Sequence, residues 1–175
     1  VNVIVDANIF KGYVMERILE INHALTGSPI SIFEDSDVII CFDEKDQIKT
    51  EYVNLIKERM AVELIIEMLN EGKIRLTNYK IDEGVESALR SRGFDMDSRD
   101  KWYVRVALYA KSINDDKRIF LISEDIDFYD PTKKECSCEE RNTIIRSKSS
   151  PVCKYLVKMA GISPICVETY NNIIA

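Results

Sequence analysis

The feature that most constrains this chain is the alternation of two apolar periodicities along its length. Short, mainly apolar runs, the pattern of strands in a buried sheet, alternate with stripes at helical spacing. "VNVIV" (Val1 to Val5) is the first such run. Ile9, Tyr13, Val14, Ile18, Leu19 and Ile21 then recur at helical spacing, which predicts a helix over 9–25. "TGSP" (Thr26 to Pro29) reads as a loop, and "DVIICF" (Asp37 to Phe42) as a second strand. A long stripe from Ile48 to Leu69 has an acidic start and Gly72 as its stop, and reads as one long helix or two.

The second half repeats the pattern. "KIRLT" (Lys73 to Thr77) reads as a strand and "DEGVESALRSRG" as a short helix ending at Gly93. "DSRDKWYVRVALYAKS" is helical to about Ser112, with Asp97 and Ser98 as N-cap candidates. "RIFLIS" (Arg118 to Ser123) is a strand. Residues 131–151 are charged and Ser-rich, with Ile144 and Ile145 as their one firm apolar pair, and read as a long loop or insertion. "PVCKYLVKMAG" is a helix with Pro151 at its start and Gly161 at its end, and "PICVETY" reads as a closing strand. The alternation implies an α/β fold, a three-layer α/β/α sandwich with a central, mainly parallel sheet, in one domain over 1–175.

Composition narrows the function classes. The chain is 46% hydrophobic and 31% charged, an ordinary globular balance, and no apolar run is long enough to span a bilayer. It opens in a strand with no signal-peptide pattern, so a cytoplasmic protein without membrane partners is expected. The five cysteines are scattered and odd in number, unlike a disulfide framework; Cys41 and Cys166 sit in apolar runs and read as buried thiols. Cys136, Cys138 and Cys153 fall short of the four ligands and spacing of a zinc site. A single histidine, His23, argues against a Ser-His-Asp triad and histidine-zinc hydrolysis. Neither a phosphate-binding G-x-x-x-x-G-K-[ST] loop nor a G-x-G-x-x-G turn is present.

Acids fall where such folds place their sites, at the carboxyl ends of strands. Asp6 ends the first strand, and Asp125, between Glu124 and Asp127, follows "RIFLIS". Glu51 and Asp100 lie in the first turns of helices that pack on the sheet. Taken singly, each is an ordinary strand-end, helix or turn acid. Converging together, they repel unless cations hold them, and oxygen-only ligands favour Mg²⁺ or Mn²⁺ over zinc. The net charge of −6 argues against a general nucleic-acid coat, but acids held by cations no longer tell against an anionic substrate.

In this order the acids resemble the PIN-domain nucleases. "VNVIVDANIF" is similar to the family's opening strand, with Asp6 as first acid and Asn8 in its D-x-N position; "TEYVNLI" resembles the second motif through Glu51. "DKWYVRVALYA" resembles the third through Asp100, with Asp97 and Asp95 as competing acids and with Trp102, Tyr103 and Arg105 departing from the family's small or apolar residues. "LISEDIDF" is similar to the fourth through Ser123, Asp125, Asp127 and Phe128.

The resemblance implies a Mg²⁺- or Mn²⁺-dependent endoribonuclease working by two-metal displacement. Asp6, Glu51, Asp100 and Asp125 are its implied catalytic and metal-binding acids, and Asn8, Ser123, Asp127 and Asp97 its accessory residues. It implies an RNA substrate, a role as a toxin or defence effector, an antitoxin or other protein partner, and a homodimer. The competing reading is a PIN-like scaffold that binds RNA or protein without cutting. A haloacid-dehalogenase-type phosphatase is disfavoured, because that chemistry wants D-x-D where this chain has D-A-N. For RNA contacts, Lys11, Lys101, Trp102 and Arg105 lie near the acids in sequence, and Lys133, Lys134, Arg141, Arg146 and Lys148 would make the 131–151 segment a basic flap.

Overall fold

Five parallel strands form one sheet in the order β3-β2-β1-β4-β5. The structure is a computed structural model, and it describes residues 1–57, 59–113 and 119–174, with the Ile174 side chain excepted. In chain order the elements are β1 (Asn2–Val5), α1 (Ala7–Tyr13), α2 (Ile30–Glu34), β2 (Ile39–Asp43), α3 (Gln47–Ile56), α4 (Arg59–Asn70) and β3 (Ile74–Thr77). There follow α5 (Glu83–Arg90), α6 (Lys101–Ser112), β4 (Ile119–Ile122), α7 (Cys138–Ser147), α8 (Pro151–Tyr155), β5 (Ile162–Ile165) and α9 (Val167–Ile174). Together they make the expected three-layer α/β/α sandwich, with a sheet that is parallel throughout.

The strand order explains the layers. The chain steps from β1 to β2 to β3 in one direction, then crosses back to β4 and β5 on the other side of β1. Right-handed crossovers in opposite directions place helices on opposite faces. On one face Phe10 of α1 stacks on Tyr52 of α3 at 4.7 Å, and Phe33 of α2 lies 4.6 Å from Tyr13. On the other, α6 carries Tyr103, Val104, Val106 and Ala107, all buried, against the sheet.

Several boundaries differ from the expectations, each for a local reason. The first helix leaves α-geometry at Tyr13, continues in wider turns over Val14–Ile18, and is over by Glu20, which adopts a left-handed conformation (φ 54°). His23 therefore lies in a loop, where it pairs with Glu16 at 2.7 Å and accepts a hydrogen bond from the Leu25 amide. The long stripe is two helices, because Lys57 is left-handed (φ 56°) and breaks it; Glu58 lies outside the described residues. The α6 helix begins one turn later than Asp97 and Ser98 would have it, since those two residues are held in a turn by Asp95. Arg118, read as the start of β4, lies outside the described residues.

Three expectations are overturned here. Residues 131–151 are not one long loop: α7 occupies Cys138–Ser147, started by a capping box in which Ser137 accepts from the Glu140 amide and Glu140 accepts from the Ser137 amide. Nor is "PICVETY" a strand to its end. The strand β5 stops at Ile165, and Val167 to Tyr170 belong to α9. The cysteine reading changes with it, because Cys166 is bonded to Cys138 of α7 and is not a thiol, whereas Cys41, Cys136 and Cys153 are free and buried.

Fully buried Asp43 ends β2 and starts the next helix. Its two carboxylate oxygens accept from the Gln47 amide at 2.9 Å and the Ile48 amide at 2.8 Å, two donors that a helix start leaves without a partner. Its burial is thereby accounted for by capping. Asp43→Ala is expected to cost about 1–2 kcal/mol in urea unfolding. An unchanged denaturation midpoint would show that the cap contributes nothing.

Candidate metal and catalytic site

The site lies where the strand order reverses. Neighbours β1 and β4 are joined to connections running in opposite directions, and the crevice beyond their carboxyl ends is the position where open α/β sheets bind ligands. Asp6 stands at the end of β1 and Asp125 just past the end of β4.

Asp6 is 3% exposed and held from several sides. Its amide donates to the Ile122 carbonyl of β4 at 2.9 Å. One carboxylate oxygen accepts from the Asn8 amide at 3.0 Å, and the other accepts from the Ser123 hydroxyl at 2.6 Å. The peptide groups on either side are fixed by two buried tyrosines. Tyr52 of α3 donates its hydroxyl to the Val5 carbonyl at 2.7 Å, and the Ala7 amide donates to the Tyr103 hydroxyl of α6 at 3.1 Å. A third, Tyr129, donates to the Ser123 carbonyl at 2.8 Å.

These contacts set the roles of the surrounding residues. Ser123 is fully buried and links two acids, since its oxygen also accepts from the Asp125 amide at 2.9 Å. Asn8 orients Asp6 through its backbone, while its side chain is exposed and faces a cleft. The departure at Tyr103 has a physical reason: its ring fills the core beneath the site and its hydroxyl meets both Ala7 and the Glu51 carboxylate.

The acids act on one another. Burial, opposed by the Ser123 and Asn8 hydrogen bonds and reinforced by Asp125 and Glu51, pushes the Asp6 carboxyl up to about 6. Burial and repulsion from Asp125 and Asp6 push Asp100 up to about 7. Glu51 is raised by burial against the pull of the Tyr103 hydroxyl, with Asp100 and Asp125 adding to the rise and Arg99 opposing it. Asp127 is raised by burial, then by Asp125 and Asp95. Carboxyls from β1, α3, the start of α6 and the turn after β4 thus share one electrostatic neighbourhood. Among the described residues none of these five forms a salt bridge.

Asp97 does not join them. It is exposed and paired through both oxygens with Arg90 at 3.0 and 3.2 Å, which holds its carboxyl below the ordinary value. Asp100 has the position instead: its side chain caps no helix amide and stands with the other acids. Among the described residues, no group of three or more His, Cys, Asp or Glu side chains is drawn close enough to hold a metal ion as placed.

The proposed RNA contacts separate into two kinds. Arg105 makes a two-pronged pair with Glu86 at 2.7 and 3.0 Å and lies 5.0 Å from the Trp102 ring, which in turn meets Tyr79 edge-on. These residues fasten α6 to α5 and its approach. Arg141 is no part of an exposed flap. It is 7% exposed, donates to the Glu124 carbonyl at 2.6 Å and pairs with the Glu124 carboxylate at 3.5 Å. Its Nε and Nη1 are buried with no hydrogen-bond partner among the described residues. A cleft of about 430 Å³ beside the acids is lined by Asn8, Lys11, His23, Leu25, Asp125 and Arg141, among others. Glu124, next to Asp125, is otherwise committed, accepting from the Thr26 amide and hydroxyl.

No protein-family model matches the chain, and no curated protein or solved structure matches it. Nothing in these comparisons identifies a PIN domain.

The raised carboxyls have a consequence for stability. An acid whose native value lies above its unfolded value of 3.8 holds its proton more tightly when folded. Its contribution is therefore greatest at low pH and is lost as pH rises through about 6 for Asp6 and about 7 for Asp100. Asp6→Asn removes one such charge, and the Ser123 hydroxyl can reverse to accept from the new amide. Metal-free Asp6→Asn is expected to melt about 2–6 °C above the native protein at pH 8, with the difference shrinking toward pH 4. A variant that melts lower at both pH values would contradict the repulsion.

Proposed function

We propose that this chain is a Mg²⁺- or Mn²⁺-dependent nuclease that hydrolyses phosphodiester bonds, with RNA as its substrate. The observation that carries the reading is the buried Asp6 carboxylate, which shares one electrostatic neighbourhood with Glu51, Asp100 and Asp125, and through Asp100 and Asp125 with Asp127, with no salt bridge to any of them among the described residues. Stability alone disfavours such a cluster, since Asp6, Glu51, Asp100 and Asp127 are held above their ordinary values by burial and by neighbouring carboxylates.

The donors fit a hard divalent cation. All are carboxylate oxygens, and each Asp6 oxygen accepts one hydrogen bond and keeps a further lone pair. Asp6, Asp100 and Asp125 would hold the metal, with Glu51 beside them, and half-buried Glu51 and Asp100 would rotate to complete the set. When bound, such an ion lowers the pKa of water and neutralises charge on a phosphoryl group.

The chain's own residues prepare that chemistry. Ser123 spaces Asp6 from Asp125 by holding one carboxylate and the other's amide. Tyr52 and Tyr103 keep the β1–α1 turn from moving when charge changes at Asp6. Near neutral pH, Asp100 and Asp6 are partly protonated and give up those protons when a cation takes their place. The cleft containing Lys11 and Asn8 opens next to Asp125 and has room for a nucleotide.

The test is cleavage of a structured RNA by the purified protein with Mn²⁺. Asp6→Asn is expected to lower the rate at least about 100-fold, and Ser123→Ala about 10–100-fold, the range for a residue that orients metal ligands. Cutting that Asp6→Asn leaves unchanged would overturn the reading. Metal binding without cutting would favour the scaffold that holds RNA or a protein partner.

A further inference from the structure

A second surface is as basic as the first is acidic. A groove of about 510 Å³ runs along α8 and is lined by Arg92, Lys148, Lys154, Tyr155, Lys158 and Met159, with Ser149 and Pro151 beside them and no Asp or Glu. Such a lining is notable in a chain of net charge −6. Among the described residues none of the four cations has a carboxylate within salt-bridge distance. Lys148, Lys154 and Lys158 are exposed. Four like charges gathered without counter-charges repel one another.

The groove also offers a planar surface. The Arg92 guanidinium lies 4.5 Å from the centre of the Tyr155 ring and is tethered to the Ala88 carbonyl at 2.5 Å. Guanidinium and aromatic planes of this kind accept stacked bases, while lysines track the phosphates of a single strand.

Its position links it to the acids. Arg92 lines the groove, and Phe94, two residues on, is buried against Phe128 at 5.5 Å between ring centres, so this connection is anchored in the core. Phe128 directly follows Asp127 in the chain, and two residues of chain span at most ~7 Å.

We propose that this groove binds the backbone of a single-stranded RNA and leads it past Asp127 to the acid cluster. The identity of the polyanion rests on the nuclease reading; the binding surface itself does not.

The experiment measures binding of a fluorescent single-stranded RNA 12-mer in EDTA, where no metal-dependent cutting can occur, for the native protein and for Lys154→Glu/Lys158→Glu. Both positions are exposed, so the variant should fold, and an unchanged melting curve checks this. The expected result is a rise in Kd of at least about tenfold. The slope of log Kd against log salt should fall by about 1.4, about 0.7 for each lost phosphate contact. Lys57→Glu/Arg59→Glu makes the same change in net charge at the junction of α3 and α4 and should leave binding nearly intact.

Equal weakening by both variants would reduce the effect to net charge and overturn the proposal. Absence of RNA binding by the native protein at low salt would do the same, as would a preference for anionic phosphatidylserine vesicles over RNA. Loss of binding in the groove variant from a protein that cuts no RNA would sink the nuclease reading and leave the groove standing.

Discussion

The hydrogen bond from Ser123 to Asp6, at 2.6 Å, joins the ends of the two central strands, and the candidate site depends on it. It holds a nearly buried carboxylate at the point where the sheet reverses direction. The same serine oxygen receives the Asp125 amide, so the separation of two acids is set by one small side chain. Larger side chains fix the frame around it: Tyr52 from one face and Tyr103 from the other grip the peptide groups flanking Asp6. Both faces of the sandwich therefore converge on a single turn of chain.

Two buried aspartates show why this arrangement differs from ordinary structural chemistry. Asp43 and Asp6 end adjacent strands and precede helices. Asp43 spends its two oxygens on two amides of the helix it starts. Asp6 accepts one amide and one hydroxyl, and it faces further carboxyls that raise its pKa. The first is stabilising where it stands. The second is held in place against electrostatic cost, as functional groups commonly are.

Much of the fold and of the site was legible in the sequence for a physical reason. Buried parallel strands read as apolar runs, and the central strands β1, β2 and β4 appear as such, so their carboxyl ends, and with them Asp6 and Asp125, could be located. Glu51 and Asp100 followed from helical spacing. Where sequence reading failed, tertiary contacts decided. Competition between Asp97 and Asp100 is resolved by Arg90, seven residues from Asp97, which takes that acid to the surface. The 131–151 segment hid a helix because its apolar stripe is thin and its buried face includes Arg141 and Cys138; the S-x-x-E pattern at Ser137 and Glu140 was the available signal. Tyr52 and Tyr103 were counted as core or as departures, although a buried tyrosine hydroxyl needs a partner and so points to one. The basic groove brings Arg92 together with residues 148–159, and no local pattern reveals such a pairing.

The central claim is that the acid cluster exchanges protons for a divalent cation. The most direct measurement is calorimetric titration of Mn²⁺ into the metal-free protein at pH 6.5, in two buffers of different ionisation enthalpy. With Asp6 near 6 and Asp100 near 7, the account predicts release of roughly one proton on binding, and less from Asp6→Asn. Binding without proton release, or no binding at millimolar Mn²⁺, would contradict it.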